Sequence, residues 1–337
     1  MSKKDSTEYL YLSTRVRALE GGTVGHDRME SLIETKNLPD VMAKLASFGL
    51  CDHGATADLS PAGREAVLSE ALTHVYDEME KESPDPTLVR LFRYPYDCNN
   101  VKSILKCRIR GLAPDDMMIA GGSVPVGVLL DAFAQGKPAP LPPHMAEAVA
   151  SARDAYAASK NPQCIDFILD RACYADMLDA ASATGVPLAY TLVQTKIDLT
   201  NLITLIRILR MGLKSAGTAL LRDAFLPGGT FSAAKAEEWY KSGESKLATA
   251  LLLTPYGVLG EELSAKDAPL RTLERVCDDI YMRKAAEAKY VPFGPEVILG
   301  YLVGWEVSVK NMRMVLAGKA AGLAPEQIRE RVRQSYV

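Results

Sequence analysis

No stretch of this 337-residue chain is both long and purely apolar. Two of the longest runs without a charge, 117–130 and 180–195, are broken by Gly121, Gly122 and Pro125 and by Pro187. A spanning helix needs about 20 continuous apolar residues, so neither run qualifies. The chain also lacks a basic excess. Its net charge is −3 and its pI is near 5.9. A nucleic-acid partner needs a dense Lys/Arg footprint to neutralise phosphates, so nucleic acid is excluded. The first residues are polar and carry no secretory pattern. Six cysteines, at 51, 98, 107, 164, 173 and 277, form no Cys-x-x-Cys pair. They read as reduced, mostly buried thiols of a cytoplasmic protein.

Catalytic signatures are missing as well. A phosphate-cradling loop needs GxxxxGK[ST], and the nearest approach, Gly318-Lys319, continues into Ala320. The histidines, His26, His53, His74 and His144, lie far apart and outside any HExxH or Cys/His spacing. No Gly-x-Ser-x-Gly elbow occurs. The chain therefore offers no catalytic residue, no cofactor-binding residue and no metal ligand.

What it does have is a threefold repeat. Gly21-Gly22-Thr23-Val24 recurs as Gly121-Gly122-Ser123-Val124 and as Gly228-Gly229-Thr230-Phe231. Ordinary glycine usage predicts on the order of 0.1 such tetrads in a chain this long, so three call for a cause. A second signature keeps step: Asn100-Val-Lys-Ser-Ile-Leu, Asn201-Leu-Ile-Thr-Leu-Ile and Asn311-Met-Arg-Met-Val-Leu. The tetrad precedes its asparagine by 79, 80 and 83 residues, and Gly-Leu follows each asparagine at Gly111, Gly212 and Gly322. A looser third mark lies between them, at Leu68-Ser-Glu-Ala-Leu, Leu169-Asp-Arg-Ala-Cys and Leu273-Glu-Arg-Val-Cys.

From each asparagine, apolar residues fall at +1, +4 and +5, which is a helical stripe and not a strand alternation. Gly111, Gly212 and Gly322 stand where a helix end wants a left-handed residue, with the following Leu closing over the last turn. In the third copy Gly318 takes the position that Leu would touch, so a looser cap is expected there. Thr23, Ser123 and Thr230 are candidate N-cap or turn residues before new helices. Further helices are expected over 8–19, 38–48, 64–81, 143–159, 164–184, 246–252 and 325–336. β-branched alternation is scarce, and the fold class is all-α.

The repeated asparagines are the most function-like residues present. An Asn on a stripe of Ile, Leu and Val is partly buried and must find hydrogen-bond partners. Asp97 and Asp198, three residues earlier on the same face, are candidates for that network, and Ser308 replaces them in the third copy. A structural latch used once per repeat explains a threefold recurrence, whereas a catalytic residue is not normally needed three times.

Several segments resemble a known family. They are Tyr96-Asp-Cys-Asn-Asn-Val-Lys-Ser-Ile-Leu, the run from Phe293 through Asn311-Met-Arg, Gly318-Lys-Ala-Ala-Gly-Leu-Ala-Pro-Glu-Gln-Ile and the opening Tyr9-Leu-Tyr-Leu-Ser-Thr-Arg-Val-Arg-Ala-Leu-Glu. These resemble the C subunit of archaeal and bacterial A/V-type ATPases, a family that includes the d subunit of eukaryotic vacuolar ATPases. The similarity is weakest near residues 50–65. The repeats divide the chain into three related helical domains, 1–118, 119–222 and 223–337, and the resemblance implies that they form a funnel about a pseudo-threefold axis. It also implies a non-catalytic central-stalk subunit that sits peripherally on the cytoplasmic face of the membrane. Its implied partners are the central-shaft subunits and the proteolipid ring. The competing expectation is a soluble α-helical scaffold of the solenoid type, but solenoid repeats usually run 20–50 residues and these are near 100.

Overall fold

The computed structural model describes residues 6–51, 58–265 and 268–337. Among these the chain forms sixteen α-helices with short 3-10 turns and no strand. His53 lies outside the described residues. Residue contacts divide the chain into two compact units, 1–89 with 278–337 and 90–277. The boundaries cut two helices and differ from the three consecutive domains drawn from the repeats.

The first unit contains α1 (Leu10–Glu20), α2 (His26–Glu34), α3 (Leu38–Ser47), α4 (Pro61–Glu82), α15 (Pro295–Ala320) and α16 (Pro325–Arg329). It is discontinuous because α15 is buried all round from Val297 to Trp305 and must be wrapped by other helices there. Helices α1 to α4 and α16 do so. Val297, Ile298, Leu299, Leu302 and Val303 are fully excluded from water. Burying each such side chain is worth about 1.5–3 kcal/mol, which ties the two ends of the sequence into one core. Asn37 and Ser60 cap α3 and α4, accepting the backbone N–H groups of Asp40 at 2.9 Å and Gly63 at 3.0 Å.

The second unit holds most of α5 (Thr87–Arg110), followed by α6 (Val126–Gln135), α7 (Pro143–Ser159), α8 (Gln163–Thr184) and α9 (Pro187–Met211). It continues through α10 (Lys214–Ala224), α11 (Ala233–Ser242), α12 (Glu244–Leu251), α13 (Gly257–Ser264) and the start of α14 (Leu270–Ala285). Here α7, α8, α9 and α10 pack in sequence, and α11, α12 and α13 follow them.

Most helices anticipated from the sequence are present, and one differs. The helix expected over 325–336 stops at Arg329, and residues beyond it run as turn and extended chain. The backbone of Arg333 is taken by Asn311, and the Gln334 N–H donates to Asp279 at 2.8 Å, so this segment cannot use its own helical bonds.

The three Gly-Leu ends all turn left-handed, with φ of +67°, +65° and +68° at Gly111, Gly212 and Gly322. The third cap is not looser than the first. Leu323 N–H reaches the Gly318 carbonyl at 2.9 Å, as Leu112 N–H reaches Cys107 at 2.9 Å. Gly318 instead makes room for Ile328, whose side chain lies where a Cβ would stand.

Candidate functional site: three asparagine latches

Asn100, Asn201 and Asn311 sit on α5, α9 and α15 and are 0%, 2% and 0% exposed. Each amide closes on both polar groups of a single residue further along the chain. Asn100 Nδ2 donates to the Ile119 carbonyl at 2.9 Å, and its Oδ1 accepts the Ile119 N–H at 2.8 Å. Asn201 does the same with Leu226 at 2.8 and 2.9 Å, and Asn311 with Arg333 at 3.0 and 2.9 Å. A primary amide presents a donor and an acceptor side by side, as a neighbouring peptide in a sheet would. Asn is therefore suited to hold an extended residue against a helix, and Asp or Leu is not. The held residues follow their asparagines by 19, 25 and 22 positions. That spacing varies, so Ile119, Leu226 and Arg333 left no common mark in the sequence.

Asp97 and Asp198 do not join the asparagines. They hold the glycine tetrads. The Asp97 carboxylate accepts Ser123 N–H at 2.9 Å, Val124 N–H at 3.1 Å and the Ser123 hydroxyl. Asp198 accepts Thr230 N–H at 2.8 Å, the Thr230 hydroxyl at 2.6 Å and the Tyr256 hydroxyl at 2.6 Å. Ser123 and Thr230 are thus turn residues pinned from another helix; the N-caps that follow are Pro125 and Ser232.

The geometry accounts for the paired glycines. Gly121 and Gly228 have φ of +103° and +99°, a region that favours glycine. A Cβ on Gly122 or Gly229 would collide with a carboxylate oxygen of Asp97 or Asp198. Arg93 Nε donates to the carbonyls of Gly121 at 3.1 Å and Gly122 at 3.0 Å. Burial pushes the Asp97 carboxyl above its ordinary value, opposed by the bonds from Ser123 and Val124 and by the charge of Arg93. Burial, and then the bond to Asp198, push the Tyr256 hydroxyl upward, so it remains a donor.

The third copy closes onto the start of the chain. Ser308, in the aspartate position, donates to the Val24 carbonyl at 3.4 Å, the last residue of the first tetrad. Glu306 accepts the Tyr76 hydroxyl at 2.8 Å. Gly21 is right-handed at φ −64°, and Thr23 bonds back to Glu20 at 2.7 Å. Without a carboxylate to receive it, the first tetrad takes a different turn. Each tetrad therefore belongs with the asparagine helix that precedes it, counted cyclically, and not with the one about 80 residues downstream.

Ion pairs between helices follow the same cyclic order. Lys106 on α5 pairs with Asp166 on α8 at 2.5 Å, and Lys102 with Asp170. Arg207 on α9 pairs with Glu274 on α14. Arg313 on α15 pairs with Glu65 on α4 at 2.5 Å, and Arg64 donates to the Leu316 carbonyl at 3.2 Å. The first repeat thus bonds to the second, the second to the third, and the third to the first.

The other residues weighed from the sequence take structural places. Cys98, Cys107, Cys173 and Cys277 are buried, Cys51 and Cys164 are half-buried, and all six are free thiols. His74 and His26 are exposed on helices, and His144 meets Asp179 at 2.8 Å. Among the described residues no group of three or more His, Cys, Asp or Glu could hold a metal ion. No described helix is long and apolar enough to cross a membrane.

A helical chain whose repeated polar residues are spent on internal latches has the features of a structural component, and comparison with known proteins gives it a family. A family model described as ATP synthase (C/AC39) subunit matches residues 12–331, so the chain belongs to that family. It is 27% identical to the C subunit of the V-type sodium ATPase of Enterococcus hirae, over 98% of this chain and 99% of the relative. It is 25% identical to the C subunit of the A-type ATP synthase of Thermococcus gammatolerans, over 96% of this chain and 89% of the relative. With the corresponding A-type protein of Methanocaldococcus jannaschii it shares 23% identity over 96% and 86% of the two chains.

Proposed function

We propose that this protein is the non-catalytic central-stalk subunit of a rotary A/V-type ATPase, coupling the rotating shaft to the membrane proteolipid ring. In this reading 1–118, 119–222 and 223–337 are three related helical domains about a pseudo-threefold axis, arranged as a funnel. One end receives the shaft subunits. The other rests on the cytoplasmic side of the ring, with no inserted helix of its own.

The observation that carries the reading is the cyclic order of bonds among the repeats, in a chain matched by the family model from residue 12 to residue 331. An adapter between two unlike rotors must pass torque without deforming. Interiors packed to crystal-like density have low compressibility and suit that task. Within the second unit the first repeat is bonded to the second and the second to the third, and within the first unit the third repeat is bonded to the first. The ion-carrying and ATP-splitting steps belong to other components in this reading.

Reconstitution of the assembled enzyme with and without this chain tests it, measuring hydrolysis and ion transport in the same vesicles. Omission should leave hydrolysis by the head largely intact and stop ATP-driven transport. Transport that persists without the chain overturns the coupling role. Loss of hydrolysis in the isolated soluble head would assign it a part in catalysis instead.

A further inference from the structure

The second and third repeats use the same place differently. In the third, the residue held by Asn311 is Arg333, and its side chain fills the gap between α14 and α15. Arg333 Nε donates to Asp278 Oδ2 at 2.8 Å, Lys310 Nζ reaches the same oxygen at 2.5 Å, and the guanidinium lies against the Met314 sulfur. The repeat register gives each of these a counterpart. Lys310 and Met314, one before and three after the asparagine, correspond to Thr200 and Thr204. Asp278, five after Leu273, corresponds to Tyr174, five after Leu169. The held residue is Leu226 in place of Arg333.

All four counterparts, Tyr174, Thr200, Thr204 and Leu226, line one cavity of about 330 Å³ between α8, α9 and α10. Shorter side chains at three of these positions leave open what the third repeat closes with its own arginine. Small-molecule sites span roughly 300–1,000 Å³ and are lined mainly by apolar groups with a few placed polar ones. This cavity has that character, with Phe167 and Ile208 among its walls.

The charges around it select the ligand. Asp170 is paired with Lys102, and Arg207 with Glu274, so no unpaired charge is offered to an ion. The Tyr174 hydroxyl meets Thr200 Oγ1 at 3.3 Å, and burial pushes its pKa upward, which keeps it neutral. The Thr204 hydroxyl makes no hydrogen bond to a described residue and is available to donate or accept. A charged ligand would lose its hydration without gaining a counter-charge. We propose that this cavity binds an uncharged, mostly apolar small molecule carrying a hydroxyl or carbonyl oxygen, held by the Thr204 hydroxyl.

The test uses 4-fluorophenol as the probe, titrated into the full chain and followed by fluorine NMR. Saturable shift or broadening is expected with the unaltered protein. It should be lost in Thr204→Met, which places the third repeat's side chain in the cavity. It should also be lost in the fourfold variant Tyr174→Asp, Thr200→Lys, Thr204→Met, Leu226→Arg, which rebuilds the filled gap. Should the fourfold variant fail to fold, the single variant with an unchanged melting curve decides. Absence of saturable binding by the unaltered chain overturns the proposal, as does binding that survives Thr204→Met. The outcome is independent of the coupling role, which reconstitution tests separately.

Discussion

Asn201 grips Leu226 from both sides of its backbone, donating to the carbonyl at 2.8 Å and accepting the N–H at 2.9 Å, with neither end of the amide open to water. Removing the amide strands two buried backbone groups at once. Asn201→Leu is expected to destabilise the second unit by about 1–3 kcal/mol. The control is Lys235→Ala. Lys235 pairs with Glu238 on an exposed face, and its loss should cost less than about 0.5 kcal/mol. Urea unfolding of both variants checks this. Equal midpoints would mean the latch contributes nothing.

Gly304 is set against Tyr336. A Cβ at 304 would stand 2.8 Å from the Tyr336 Cβ and close to its ring, and Tyr336 is 3% exposed. Gly304→Ala is expected to cost about 1–3 kcal/mol by overpacking. In a Tyr336→Gly background the same change should cost little, because both the Cβ and the ring it would meet are gone. A double-mutant cycle by thermal melting measures the difference. Additive effects would place the tail elsewhere.

The ion pair of Arg313 with Glu65 joins the third repeat to the first, but its side chains are 49% and 41% exposed. Such a pair is screened by water and salt, so its coupling energy should stay below about 1 kcal/mol. A double-mutant cycle with alanine at both sites provides the measurement. A markedly larger value would mean that exposed pairs, and not the packing of α15, hold the third repeat to the first.

His144 is bonded to Asp179, and this bond leads the effects that raise its pKa above the ordinary 6.5, with Asp176 and Glu147 adding smaller contributions. A group raised on folding binds its proton more tightly in the folded state. Its stabilisation is therefore fully present below about pH 6.5 and is lost as pH rises through the raised value. Titration of the imidazole by NMR should give a midpoint above 6.5 in the folded chain, and Asp179→Asn should lower it. An unchanged midpoint in that variant would show that Asp179 does not carry the shift.

Much of this architecture was legible without coordinates because helices are local. Apolar residues at +1, +4 and +5 from each asparagine, and a left-handed Gly eleven residues on, specify a helix and its end through contacts no more than a few turns apart. The same local logic overreached at 325–336, where helical composition met a backbone already claimed by Asn311 and Asp279.

The sequence by itself determined the all-helical class, the threefold recurrence and the identity of the residues that recur. The tertiary structure decided what those residues hold. No local rule pairs Asn100 with Ile119, Asn201 with Leu226 and Asn311 with Arg333, because the intervening loops differ in length and only packed helices bring the partners together. Nor could spacing reveal that Asp97 and Asp198 serve the glycine tetrads, since the reason for the second glycine is the room a carboxylate takes in three dimensions. Least visible of all was the closure of the third repeat on the first. Ser308 and Val24 lie 284 residues apart and meet only because α15, buried all round from Val297 to Trp305, must be wrapped by the beginning of the chain.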